Sequence, residues 1–314
     1  MDLHTKFTTD PDKFTAINYF TIILSMLLCA CGLYLNLCLI YGLKRSGMRR
    51  QYIFNISISL SDSTVCVLKL LVHGVELYYG SQWGGNLQCQ IQGYLQQALW
   101  SISVVCMTAI AWDPFRIVVQ RKGPPSDRAV TIMLLVIWIG VGFFPATVPF
   151  WPIKETHQYV YHSSGLYCLS CYYCQEFWVS FLTKIEAFTL LVSPINVLIL
   201  FNYICYKISI LSPETEAGRL RAEHMQATVI RRCLFIVGLH VFSYWITFTT
   251  IVYENSTGHA IPFWADCFNY IVPLCSFSIN PILCFYLEPR IRSPIRHWQH
   301  PQARYQDTTS LSLK

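Results

Sequence analysis

Seven stretches of this chain are apolar and nearly free of charge: roughly Asn18–Leu43, Tyr52–Tyr79, Ile91–Trp112, Ala129–Trp151, Phe177–Tyr206, Arg232–Tyr253 and Ile261–Leu287. Each is about 20 residues or longer, enough to cross the hydrocarbon core of a bilayer as a helix. No water is present there to satisfy backbone amides and carbonyls, so each segment must close its hydrogen bonds internally. Composition agrees. The chain is 54% hydrophobic and 13% charged, where a soluble domain carries about 25% charge. The pattern predicts an all-α fold, a seven-transmembrane helix bundle over residues 18–287, with a polar segment at 1–17 and a polar tail at 288–314.

The formal net charge of +6 suits nucleic acid or a membrane, and the placement of the charges decides. Lys44, Arg45, Arg49 and Arg50 follow the first span; Arg116, Arg121, Lys122 and Arg128 the third. Lys207, Arg219, Arg221, Arg231 and Arg232 follow the fifth, and Arg290, Arg292, Arg296, Arg304 and Lys314 the seventh. Only Lys6, Lys13 and Lys154 lie on the opposite side. The positive-inside rule then puts the N-terminus outside and the C-terminus in the cytosol of a multi-pass plasma-membrane protein. The charge is a topology signal, and no nucleic-acid partner is expected. Residues 1–17 lack the pattern of a cleaved signal peptide, so the first span is expected to serve for targeting as well. The sequon at Asn255 falls in an outer segment, where glycosylation is chemically open.

Most of the 14 cysteines lie inside apolar runs, where a thiol behaves as a small hydrophobe. Those facing outside are Cys89 and the trio Cys168, Cys171 and Cys174. An oxidising exterior permits a disulfide from Cys89 to one of the trio; Cys171 is taken as its partner, with Cys168 the alternative. Three thiols without a fourth ligand do not make a structural zinc site, and no metal centre is expected. Ionisable residues within spans are costly and are candidates for function. Asp62 sits mid-span; Lys69, His73 and Glu76 follow at i, i+4 and i+7 on one helix face. Lys184 and Glu186 lie near the outer end of the fifth span. These groups either pair among themselves, Lys69 with Glu76 or Glu186, or line an outward-opening pocket. Pro145, Pro149, Pro194, Pro273 and Pro281 interrupt three spans, and such kinks leave cavities between helices.

Landmarks recur one per span: Asn36, Asp62, Trp83, Cys89 with Asp113 24 residues on, Trp138, Pro194, Trp245 and Asn280-Pro281. In this order they resemble the rhodopsin-like family of G-protein-coupled receptors, over roughly Tyr19–Leu287. The resemblance implies a receptor that passes a ligand signal to a heterotrimeric G protein. It also implies departures. "DPF" stands in place of the family's Asp/Glu-Arg-Tyr triplet: Asp113 is kept, Pro114 replaces the arginine and Phe115 the tyrosine. Proline has neither charge nor amide proton. Arg116 is displaced about 200° around the helix and does not substitute. Cys284 and Asn202 stand where tyrosines are expected, and Thr247 where a proline bends the sixth helix. Asn36, Asp62, Ser103 and Asn280 keep the oxygen-rich set that a sodium ion prefers. The same set also reads as a hydrogen-bonded polar core.

Gln96 stands where amine receptors carry an aspartate, which disfavours an amine ligand, and Leu274 where opsins carry the retinal lysine. Retinal is therefore disfavoured, although a desolvated Lys69 is a suitable amine nucleophile. The pocket expected for an unidentified small ligand is lined by Lys69, His73, Gln96, Trp100, Glu186, Trp245, Phe248 and Tyr270. An unpaired Lys69 would anchor an anionic ligand. No nucleophile motif, metal-binding His pair or phosphate loop points to an enzyme. A transporter, the rival by class, predicts repeated halves with paired broken helices, which the sequence lacks. A receptor-like protein with weak or no coupling is the other alternative.

Overall fold

The computed structural model describes residues 15–45, 52–79, 85–120, 125–143, 159–172, 177–210 and 216–287. Within them seven helical segments follow one another: α1 Ala16–Arg45, α2 Ile53–Tyr79, α3 Gly85–Val118, α4 Asp127–Leu135, α5 Phe177–Ile210, α6 Glu216–Thr257 and α7 Phe263–Leu287. The order is the one expected. Trp83, Pro145, Pro149, Trp151 and Cys174 lie outside the described residues, as do the side chains of Asp113 and Pro114.

The helix ends differ from the apolar runs where polar residues favour the helix. α6 begins well before Arg232 because "EAGRLRAEHMQ" is composed mostly of good helix formers, so the helix continues past its apolar part. α3 likewise starts before Ile91. Among the described residues, α1, α2, α7 and the stretch 183–210 of α5 are long and apolar enough to cross a membrane. α3 is less apolar because it carries Gln88, Gln90, Gln92, Gln96 and Gln97. α3 also runs through Pro114 to Val118 without a break.

α4 opens with Ser126 as N-cap, accepting from the Ala129 amide at 3.3 Å. After Leu135 it widens into a π-helical segment, Val136–Phe143. This segment approaches α3 so closely that a Cβ on Gly142 would lie 2.6 Å from the Ile102 side chain. Such small-residue contact is how helices gain dispersion energy in lipid, where no hydrophobic force drives them together. The main core joins α1, α2, α3, α6 and α7, with Ile22, Val65, Ile102, Tyr244 and Phe277 at its centre. At the C-terminal ends of α3 and α5 a second cluster, Val197, Phe201, Ile204 and Ile208 of α5, takes Phe115 and Val119 of the α3 end against it. The outer surface is itself apolar, with Phe20, Leu71, Phe188 and Trp264 exposed.

Between α4 and α5 a two-stranded antiparallel hairpin, β1 Val160–Tyr161 and β2 Cys168–Leu169, pairs Val160 with Leu169. Its turn places Gly165 at φ 70°, a conformation glycine adopts without a Cβ penalty. The hairpin is not a surface loop: Tyr159, Leu166, Tyr167, Leu169 and Tyr172 are all buried. The Gln90 side chain clamps Tyr159 twice, donating to its carbonyl at 2.8 Å and accepting from its amide at 3.0 Å. That clamp and the strand register bring Cys168 to α3, where it bonds Cys89 with Cα atoms 5.3 Å apart. The expected partner, Cys171, is corrected accordingly: it lies past the end of β2 and, though disulfide-bonded, is not joined to Cys89.

Peptide mapping under non-reducing conditions should recover Cys89 linked to Cys168. Cys89→Ser and Cys168→Ser should each lower stability by about 2–4 kcal/mol, and the double variant should lose no more than either. A Cys89–Cys171 peptide would contradict the assignment.

Candidate functional site

Three buried polar layers stack along the bundle. The deepest centres on Asp62 of α2. Its Oδ1 accepts from Ser103 Oγ at 2.8 Å and its Oδ2 from Asn280 Nδ2 at 3.4 Å, while Ser61 and Ser103 share a hydrogen bond at 2.6 Å. Helices α2, α3 and α7 are thereby joined around one carboxylate. Asn36, expected in the same polar core, is buried with its Oδ1 unpartnered. Its amide donates to the carbonyls of Gly32 at 2.9 Å and Phe277 at 2.8 Å, pinning α1 to α7.

The middle layer begins with the face of α2 that the spacing picked out. Lys69, His73 and Glu76 are all 0% exposed. His73 Nδ1–H donates to Glu76 Oε2 at 2.6 Å. In the neutral ring that leaves Nε2 to accept the Tyr270 hydroxyl, whose oxygen is 3.0 Å from Ser25 Oγ. Glu76 is thus committed to His73, and the expected Lys69–Glu76 pairing does not form among the described residues. Lys69 has no hydrogen-bond acceptor. Its Nζ lies 4.6 Å from the Tyr270 ring centre and 5.8 Å from that of Tyr167, within reach of a cation–π attraction. On α3, Gln92, Gln96 and Trp100 recur every four residues, one helix face. All three are buried, with the amides of both glutamines and the Trp100 indole N–H unpartnered.

The uppermost layer is one the sequence reading missed. Asp266 of α7, fully buried, accepts from the Ser164 amide at 2.7 Å and from the Tyr167 hydroxyl. His162 Nδ1 lies 3.7 Å from the same carboxylate. Asn269 donates to the Tyr167 oxygen at 3.1 Å and accepts from Thr247 Oγ1 of α6 at 2.9 Å. Burial first, and then the Asp266 charge, push the Tyr167 phenol well above its usual range, so it remains a donor at physiological pH. Tyr167 also stacks on Tyr270, ring centres 5.0 Å apart at 14°. One hairpin residue therefore ties the loop to α6 and α7 and closes over Lys69.

The other expected pocket residues divide. Glu186 accepts from the Tyr172 hydroxyl at 3.1 Å and meets the hairpin rather than Lys69. Lys184 is exposed. Phe248 is partly buried against the main core. Trp245 is not among the group: it is 55% exposed, on the outer face of α6. The aromatic that α6 buries is its neighbour Tyr244, whose ring meets Trp100 edge-on at 6.1 Å. One residue is 100° of helix rotation, and Thr247 facing Asn269 fixes which face turns inward. At the C-terminal end of α3 Phe115 stacks on Trp112 at 5.2 Å and meets Tyr203 of α5 at 6.1 Å. Arg116 beside it is half-buried. Pro281 is buried within α7.

A family model described as "7 transmembrane receptor (rhodopsin family)" matches residues 35–284. The chain is 24% identical to rat neuropeptide FF receptor 2 over 77% of its length and 62% of that receptor. It is 25% identical to the Caenorhabditis elegans neuropeptide receptor npr-1 over 65% of its length and 44% of that receptor. It therefore spans roughly half to three-fifths of these relatives. Drosophila melanogaster opsin Rh6 is 20% identical over 70% of the chain. Squid rhodopsin superposes with a TM-score of 0.75 at 15% identity, covering 93% of this chain and 88% of that one, which establishes the same fold.

Tyr167→Phe should cost about 1–3 kcal/mol, because Asp266 and Asn269 are left buried without that partner. Trp245→Ala, on the outer face, should cost about 0.5 kcal/mol or less. Thermal unfolding in detergent checks both; equal losses would contradict the rotation assigned to α6.

Proposed function

This chain belongs to the rhodopsin family of seven-transmembrane receptors, and from that premise we propose that it binds an extracellular or membrane-delivered ligand beneath the hairpin and couples to a heterotrimeric G protein. It is a multi-pass membrane receptor and not an enzyme. The observation that carries the proposal is the middle layer: buried donors on α2 and α3, roofed by Tyr167, with no protein partner. A ligand seated there touches α2, α3, α7 and the hairpin together. The Asp62 core a few turns below joins three of the same elements, so a shift in one is felt at the cytosolic end. The distribution of Lys and Arg supports an N-terminus outside and a plasma-membrane location.

Coupling in this reading does not run through an arginine after Asp113. Phe115, stacked between Trp112 and Tyr203, holds α3 to α5 by apolar contact. The basic segments around Arg49, Arg121 and Arg231 supply the charge that meets an acidic partner or anionic lipid. Purified receptor with Gi, Gs and Gq heterotrimers should show low but measurable GDP–GTP exchange, and Pro114→Arg should raise it severalfold. No exchange from either protein would leave a receptor-like scaffold without coupling.

The oxygens of Asp62 and Ser103, with Ser61 beside them, suit a hard cation. Each Asp62 oxygen has one donor and a lone pair to spare. A sodium ion bound there would neutralise the carboxylate and hold α2 to α3; the Asn36 side-chain oxygen, buried and without a partner, is the further candidate ligand. Replacing choline chloride by sodium chloride should raise the melting temperature of the wild type and not of Asp62→Asn. An identical response from both would exclude the site.

A further inference from the structure

We propose that Lys69 anchors a carboxylate carried by the ligand, an inference that rests on the receptor reading above and specifies the ligand's chemistry. Lys69 is the only buried lysine among the described residues, and it has no acceptor. A charge taken out of water without a partner is expensive. Here the cost is offset by the faces of Tyr270 and Tyr167 and by the longer-range attraction of Glu76. The acids that might have paired with it are engaged: Glu76 Oε2 takes His73 Nδ1, and Asp266 takes Tyr167 and the Ser164 amide. One oxygen of Glu76 stays free on the α2 face and attracts the ammonium without a hydrogen bond between them.

The unpartnered groups on the neighbouring face of α3 point the same way. Gln92 and Gln96 offer amide N–H groups and Trp100 an indole N–H, all buried and all without acceptors. With the ammonium these donors lie along facing helices α2 and α3, and the side-chain oxygens of both glutamines are unpartnered as well. A carboxylate is acceptor-only, with two oxygens and about four lone-pair sites, and charge-assisted hydrogen bonds to it are the strong kind. An ammonium ligand would find the glutamine oxygens but would face the like charge of Lys69. The surrounding rings of Trp100, Tyr167 and Tyr270 suit an apolar or aromatic body behind the carboxylate. Tyr167 lies over Lys69, so binding changes the hairpin's contact with α7.

The test uses full-length receptor in nanodiscs of neutral phosphatidylcholine and three acids: indole-3-acetate, decanoate and N-acetylphenylalanine. Each is paired with its primary amide. At saturation at least one acid should raise the melting temperature by about 2–4 °C while its amide does not. That difference should vanish in Lys69→Met, persist in Lys69→Arg, and persist in Lys184→Met, whose lysine is exposed. Acids no better than their amides on the wild type overturn the proposal, whether or not Lys69→Met folds. A visible absorbance band formed with retinal and lost in Lys69→Met would also overturn it, by showing the amine to be a Schiff-base nucleophile. Binding is read without a G protein. An acid-specific shift without nucleotide exchange would count against coupling alone, and exchange without acid preference against the anchor alone.

Discussion

Lipid offers no hydrogen-bond partners, so each polar group buried in the bundle must find its partner in the protein, in water held there or in something the protein binds. The three layers meet this condition differently. At Asp62 the carboxylate is held by Ser103 and Asn280. At Asp266 it is held by the hairpin itself. Between them an ammonium, two carboxamides and an indole have no partners. The open donors of α2 and α3, roofed by the hairpin, are where the proposed ligand would seat. The Asp62 and Asp266 carboxylates tie together the elements on either side of them.

Much of this was legible in the sequence. Apolar runs gave the seven spans in order, because lipid admits only helices over such lengths. The face bearing Lys69, His73 and Glu76 followed from helical spacing alone. Rotation about a helix axis was less legible. Trp245 stood at the expected landmark, yet without a proline two residues on nothing in the sequence specified which of Tyr244 and Trp245 turns inward. The inward face is set by contacts with α3 and α7, which are distant in sequence. The hairpin was the other gap. Its docking on Asp266 joins residues about 100 apart, and three closely spaced cysteines do not distinguish their partner for Cys89. A signal was present: "YHSSGLYC" is too aromatic for a solvent-exposed turn.

The departures at the end of the bundle away from the hairpin acquire a shared physical sense. Phe115 in place of tyrosine gains the apolar cluster of α5. Cys284 in place of tyrosine accepts from Asn55 of α2 at 3.0 Å. Asn202 instead donates to its own helix, to Leu198 at 2.8 Å. Side chains that would form a polar relay are replaced by local or apolar contacts.

Thr247 changes the mechanics of α6. A proline there would bend the helix; the threonine instead binds Asn269 and leaves a 42-residue helix, about 63 Å long. Taking that bond as a fulcrum, the outer arm to Thr257 is about 15 Å and the inner arm to Glu216 about 46 Å. A helix that pivoted there as a rod would have a mechanical gain of about three, so an ångström of tilt at the Thr257 end would become several at the Glu216 end.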